Sequence, residues 1–597
     1  MRKQTIPLSC LLTALTVLLF SCQNNPSTPP ATTASGDSTF KKMSAGFIAA
    51  ELAWSPEASV ALGFHQYDGK LTDYSKTSLD QELSRLKAFD QQLDKLDTTT
   101  LSPAMFYDYR ILQAGVRNAI FNFEDKESFT KNPMTYAGAI DVNIYVKRNF
   151  APLEDRVRSI INIENGSPAV FAAAKSNLAD SLGKPLIETA IEVAKGSVSF
   201  LGKDLVVALK TLTNDSLKTA FTTANKLAIG QINDYIDYLK KVKLPKATNN
   251  YAIGTEKYKK MLLYQEDITL SPDELLAIGL KELKKEQDAF NAAAKIIDPT
   301  KKPVDVYHQT ELEHPTADSL IPDARKKLEA IRQYLVDNKI ITLPSEVRAI
   351  CKETPEYARA TSTASMDIPG PFEKKATEAY YYITPVEPTW TAKQKEDWLA
   401  QFNFYTTDIV SIHEAYPGHY VQFLHLNASN ATDIEKIYGS YAFVEGWAHY
   451  TEKMLIDEGY GRSSTGNFHT DSITAAKYRI AQSGDALLRL CRLCVSIQTH
   501  CHNMTVDQAT KFFMDNWYQG EKPCRLEAIR GTFDPGYLFY TVGKLEILKL
   551  REDYRRQEGA SFSLKKFHDA MLDNGMPPIR LLRERLLKDR STWDQIL

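Results

Sequence analysis

The chain has 597 residues, 43% of them hydrophobic, with 72 lysines and arginines set against 74 aspartates and glutamates. So long a chain with so ordinary a composition buries a large core, and belongs with globular proteins. The formal net charge of -2 argues against a dedicated nucleic-acid binder, which carries a basic excess on one face.

At the N-terminus, Arg2 and Lys3 precede an apolar run from Ile6 to Phe20, the layout of a signal peptide over residues 1–21. The run closes as Leu19-Phe20-Ser21-Cys22. This is similar to a bacterial lipobox, and the resemblance implies cleavage before Cys22 and lipidation of its thiol. The alternative is an uncleaved transmembrane anchor, but the run falls short of the roughly 20 apolar residues that span a bilayer comfortably. Residues 22–39 are rich in Asn, Pro, Ser and Thr and read as a flexible tether, because they cannot bury enough apolar surface to order themselves. The expected product is an exported lipoprotein, anchored to a membrane in the periplasm or at the cell surface, with its folded body starting near Phe40. Past Cys22 the cysteines are Cys351, Cys491, Cys494, Cys501 and Cys524, an odd and scattered set that does not suggest a disulfide framework.

Most of the body reads as helix. Apolar residues recur at three- and four-residue spacing over Leu83 to Leu96, Pro168 to Leu182, Ser216 to Val242 and Pro272 to Ile297. Before the last of these, Ser271 stands at an N-cap, with Pro272 in the first turn and Asp273 and Glu274 beside it. The best strand is Ala379 to Thr384, β-branched and aromatic, ending at Pro385. The expected fold is mainly α, with two packed lobes over 40–342 and 343–597 forming one catalytic unit, and a small strand element beside the functional helix.

The sharpest signal is His413-Glu414-Ala415-Tyr416-Pro417-Gly418-His419. Zinc hydrolases of the zincin type place two histidines at i and i+4 of one helix, and the glutamate after the first serves as general base. Here the string is two residues too long, and an ideal helix would leave the imidazoles about 120° apart around its axis. Removing Pro417-Gly418 restores the spacing, which predicts that these two residues bulge from the helix. A catalytic zinc takes three protein ligands and keeps one open position. Val444-Glu445-Gly446-Trp447-Ala448-His449-Tyr450-Thr451-Glu452 offers the third. Glu445, His449 and Glu452 share one helix face. Glu445, 26 residues after His419, is the expected ligand, with Glu452 or His449 orienting an imidazole from behind. The apolar lead-in Ile409, Val410 and Ile412 would bury this helix and leave His413 and Glu414 at a cleft.

At these residues the chain resembles the family known as domain of unknown function 885, grouped with the HExxH metallopeptidases. The family's HExxPGH pattern matches His413 through His419, with Gln422 at its following glutamine, and its EGWAxYxE pattern matches Glu445 through Glu452. A late PGxxxxYxxG segment matches Pro535-Gly536, Tyr540 and Gly543, followed by Leu550-Arg551. An opening segment matches Leu62 through Asp68. The resemblance implies a mostly helical gluzincin-type fold, a Zn2+ site and peptidase activity. The chain departs from the pattern at Tyr537, where glutamine is expected, at Thr541, where lysine or arginine is usual, and at Ser496, where aspartate is normal. His500 matches that helix's histidine. These departures leave the ligands intact and bear on substrate preference.

Tyr540 is the candidate for holding an oxyanion by a phenol hydrogen bond, with His500 a second donor; either is equally readable as a core side chain. Cys491, Cys494, His500, Cys501 and His502 superficially resemble a structural zinc site, but their apolar helical setting favours buried free thiols. Ala379 to Thr384 would serve either as a buried strand or to bind substrate backbone by strand addition. Arg530 and Arg551 are candidates for a bidentate hold on a substrate carboxylate. The sequence therefore predicts zinc-dependent hydrolysis of peptides, with Glu414 as base. Its rivals are a zinc hydrolase of a non-peptide amide or ester, and a surface binding protein with a degenerate site.

Overall fold

The computed structural model describes residues 35–355, 359, 363–462 and 467–597. Cys22 and the signal segment lie outside the described residues. The first helix spans Ser35–Trp54, so residues 35–39, expected to belong to the tether, form its opening turns instead. Local contacts explain the order: Asp37 accepts from the Ser102 amide at 2.8 Å.

The fold is mainly α. The expected helices are found at Lys76–Asp94, Ser167–Asn177, Asp215–Tyr238 and Pro272–Ile297. Ser271 caps the last of these, accepting from the Glu274 amide, while the Glu274 side chain reaches back to close a capping box. Among the described residues no helix is long and apolar enough to cross a membrane.

Three clusters of buried side chains hold the helices together. One gathers Phe40, Leu86, Tyr109, Leu112 and their neighbours, and a second gathers residues between Tyr136 and Leu239. The largest contains the region of the predicted site, yet it also takes in Tyr258, Leu275, Leu283, Phe290 and Ile331. The helix Pro272–Ile297 lies along the long helix Phe468–His502, and Gly279 leaves room there for the Leu493 and Cys494 side chains.

Three short strands form one sheet: β1 (Ile350–Glu353), β2 (Ala364–Asp367) and β3 (Tyr380–Ile383), in the order β1-β3-β2. β1 runs parallel to β3 with Ile350 opposite Tyr380, and β2 runs antiparallel to it with Ala364 opposite Ile383. The expected strand is thus the central one. Both its edges are taken, so it cannot add a substrate strand. The edge nearest the functional helix belongs to β2, which contacts the helix Phe404–Glu414.

Candidate metal centre

His413 closes the helix Phe404–Glu414, whose N-terminus is held by Asn403 accepting from the Tyr405 and Thr406 amides. The chain does not continue as one bulged helix. It breaks after Glu414, passes through a cis Tyr416-Pro417 peptide, and restarts as a second helix, His419–Ala428. The junction is tight. The Gly418 amide donates to Ile412 O at 2.9 Å, and a Cβ on Gly418 would lie 1.7 Å from His413 O. Trp447 pins the insert from the facing helix, its indole N–H donating to Pro417 O at 2.9 Å.

That facing helix, Tyr441–Asp457, carries Glu445. Its first turn is fixed by Ser440, which accepts from the Phe443 amide, and by buried Glu266, which accepts from the Ser440 hydroxyl and, at 3.0 Å, from the Ala442 amide. Burial pushes the Glu266 carboxyl up to about 7. The helix crosses Phe539–Glu558 at Gly446 and Gly543: a Cβ on either would fall within 2.6 Å of the other helix's backbone. The close crossing brings Tyr540 and Lys544 beside the helix that bears Glu445.

The result is that His413, His419 and Glu445 converge, each offering a ligand atom within 4.8 Å of the others. Among the described residues this is the one such group. Glu445 Oε2 lies 3.5 Å from His413 Nε2 and 3.5 Å from His419 Nε2. Ligand atoms around a tetrahedral zinc with bonds of about 2.1 Å stand about 3.4 Å apart, so the spacing suits such an ion. Glu445 Oε2 is also buried without a hydrogen-bond partner, which a metal would satisfy. The donor set of two imidazoles and one carboxylate fits zinc.

Each imidazole is oriented from behind. His413 Nδ1 donates to Glu452 Oε1 at 2.7 Å, and His419 Nδ1 meets Gln422 Oε1 at 3.4 Å. Glu452 Oε2 accepts from His449 Nδ1 at 3.0 Å, and His449 Nε2 accepts from the Lys544 ammonium at 3.3 Å. Because a lysine can only donate, His449 must carry its proton on Nδ1. Burial, reinforced by the Lys544 and Arg489 charges, holds the His449 imidazole well below the usual histidine range. Burial alone would lower His413 too, but the Glu445 and Glu452 carboxylates outweigh it and raise it. Glu445 itself is held well below the carboxylate range, its burial overcome by the two imidazoles. Glu414 turns toward the sheet, its Oε2 accepting from the Met366 amide of β2 at 3.2 Å.

Tyr540 stands on the helix Phe539–Glu558, which crosses the helix bearing Glu445. Its ring lies 5.6 Å from that of Tyr441, one turn before Glu445, and 5.7 Å from the guanidinium of Arg489, which reaches Glu452 at 3.5 Å. Arg492 and Arg530 complete a cationic surround at 5.2 and 6.0 Å. His500 is not brought to the cluster. It lies 11 residues beyond Arg489 on one helix, about 16 Å along the axis. Both its ring nitrogens are engaged by backbone, Nε2 with Gly531 O at 2.7 Å and Nδ1 with the Ile253 amide at 3.4 Å. Burial lowers it to about 4. Arg551 donates to the Tyr450 hydroxyl at 3.2 Å, and Arg530 pairs with Asp534 at 2.9 Å. Cys351, Cys491, Cys494 and Cys524 are buried free thiols, and Cys501 is partly buried. Lys544, Arg489 and Met366 escaped the sequence reading. Lys544 alone left a trace, four residues and so one turn after Tyr540.

The family model described as "Bacterial protein of unknown function (DUF885)" matches residues 56–586. The chain belongs to this family. Among solved structures it is similar to one described as a lipoprotein of unknown function from Shewanella oneidensis, with 26% identity and a TM-score of 0.76 over 92% of this chain and all of that one. A lipoprotein structure from Colwellia psychrerythraea, 17% identical, shares the fold with a TM-score of 0.73 over 94% of this chain and all of that one. No curated protein matches the chain. The family motifs quoted above have a plain physical sense in this fold: the glycines of EGW and YxxG make the helix crossing, and the tryptophan of EGW holds the Pro-Gly insert.

Proposed function

We propose that the chain is a zinc-dependent hydrolase of peptide bonds, exported and held to a membrane through lipid on Cys22. The observation that carries the reading is the convergence of His413, His419 and Glu445 at zinc-ligand spacing, with an orphaned Glu445 oxygen between the imidazoles. The likeness to the Shewanella lipoprotein supports the location.

When bound, zinc supplies Lewis acidity, polarising a carbonyl and making water acidic near neutral pH. The protein's own groups do the rest. His413 and His419 present Nε2 to the ion because Glu452 and Gln422 occupy their Nδ1 positions. Glu414, next in chain to His413, takes the proton of the attacking water and later delivers it to the leaving amine. Tyr540 donates its phenol hydrogen to the developing oxyanion. β2, an edge strand whose Met366 amide already donates to Glu414, would offer its remaining outward backbone groups to an extended substrate.

Incubation with a peptide mixture, read by mass spectrometry, tests the reading. The wild-type chain should cleave peptides. Glu414→Gln should retain zinc and lose at least about a hundredfold in turnover, the usual worth of a general base. Full activity in that variant would remove Glu414 from the mechanism. Peptides left intact while simple esters or amides are consumed would favour the non-peptide rival, and peptide bound without being consumed would favour the binding protein.

A further inference from the structure

A groove of about 890 Å³ lies between the turn holding Thr98, Thr99, Leu101 and Pro103 and the C-terminal segment from Leu581 to Trp593. Three arginines line it, each resting on an aromatic ring. Arg110 lies 6.0 Å from the Phe106 ring, Arg585 4.3 Å from that of Tyr107, and Arg590 5.4 Å from that of Trp593. The acid in the wall, Glu584, is taken: it pairs with Arg110 at 3.3 Å and with Arg580 at 2.9 Å. Arg110 is committed as well, to Asp267 at 2.8 Å besides Glu584. Arg585 gives one nitrogen, Nη1, to buried Glu435 at 3.2 Å and is otherwise exposed. Arg590 is exposed, and its guanidinium has no hydrogen bond or ion pair among the described residues. Its neighbour Asp589 accepts instead from the Ser591 amide and hydroxyl. Phe106 is 37% exposed, and Trp593 is partly so. Arginine beside open aromatic rings suits the headgroup layer of a bilayer, where such rings concentrate and cations meet lipid phosphate.

The groove lies where the expected tether enters the fold. Asp37, in the opening turn of the first helix, accepts from the Ser102 amide at 2.8 Å. Gly36 packs on Thr100, so closely that a Cβ would fall 2.2 Å from the hydroxyl oxygen. Thr100 and Ser102 alternate along the chain with the wall residues Thr99, Leu101 and Pro103. Cys22 stands 14 residues before Gly36, so lipid on its thiol would keep this side of the body within about 50 Å of the bilayer.

We propose that this groove is a membrane-contact surface, with Arg585 and Arg590 binding the phosphates of anionic phospholipids and Phe106 and Trp593 entering the headgroup layer. The assignment rests on the lipoprotein reading above for its placement, and on the groove's own side chains for its chemistry. A tether alone leaves the body free to turn, whereas a docked groove fixes which side of it faces the bilayer.

The test uses the full mature chain with Cys22→Ser, so that no acyl chain contributes. It is sedimented with vesicles of phosphatidylcholine alone, or with about one-third phosphatidylglycerol. Wild-type groove residues should hold the chain to the anionic vesicles and not to the neutral ones, and raised salt should release it. Arg590→Gln, at an exposed site with no partner to lose, should weaken binding about fivefold, the worth of one cation near an anionic surface. Arg590→Lys should restore it, and Trp593→Phe should remove most of the blue shift in tryptophan emission that accompanies binding. Equal sedimentation with both kinds of vesicle, or binding that Arg590→Gln leaves untouched, would overturn the surface. A response of Trp593 emission to inorganic phosphate but not to vesicles would make the groove a site for a free anion, and would also overturn it. Labelled palmitate fed to cells making the native chain tests the anchor separately. Label at Cys22 without vesicle binding would keep the anchor and overturn the surface; vesicle binding without label would keep the surface and remove the anchor.

Discussion

Behind His413, three side chains are joined end to end: Lys544 to His449, His449 to Glu452, and Glu452 to His413. All are buried, so each polar atom depends on its neighbour for a partner. Lys544→Met should leave the fold intact and weaken zinc about tenfold or more, as loss of an outer partner of a ligand does; competition with a chromophoric chelator reads this, and an unchanged affinity would make Lys544 a mere filler. A second buried acid governs stability rather than the site. Glu164 accepts from Asn225 at 2.9 Å, but its Oε2 has no partner. Burial raises its carboxyl from 4.5 to about 8, against that hydrogen bond. The folded state therefore keeps a proton that the unfolded chain has lost, so this contribution to stability is complete below about pH 4.5 and is lost as pH rises through about 8. Glu164→Gln should be more stable than wild type above that window by on the order of 2–4 kcal/mol. Urea unfolding at the two ends of the window measures it, and parallel pH profiles for the two proteins would contradict the assignment.

Among the elements, the two-residue insert shows what sequence could and could not supply. The spacing of His413 and His419 required Pro417 and Gly418 to leave the helix, and they do. That the helix ends altogether was not legible locally, because one contact that holds the break, Trp447 on Pro417 O, comes from another helix, and the other is the backbone packing of Gly418 on His413. Gly418→Ala should push His413 and His419 apart and cost most of the bound zinc, whereas a variant that retained full occupancy would show the junction to be pliable. The sheet was legible only in part. Tyr380 to Ile383 announces itself by β-branched and aromatic residues, but β1 and β2 are four residues each and pair non-locally. Strand order, and hence which edge faces Glu414, depends on that pairing and not on local pattern.

Over the whole molecule, helical periodicity predicted the elements and their apolar faces well, since a face is a property of spacing. It did not predict what each face meets. The helix Pro272–Ile297 packs along Phe468–His502 and shares the core of the metal cluster, although it precedes residue 343 by some distance in the chain. Likewise His500 and Tyr540 were alike as candidate donors in sequence. Packing separates them, placing one ring beside Arg489 and sealing the other between two backbone groups. What every scale has in common is a single claim, that His413, His419 and Glu445 hold a zinc ion. Metal content of the purified chain, measured after exposure to zinc and removal of excess, tests it most directly. About one zinc per chain, lost in His413→Ala, is the result expected. A wild-type chain that retains no metal, or a His413→Ala variant that retains as much as wild type, would contradict it.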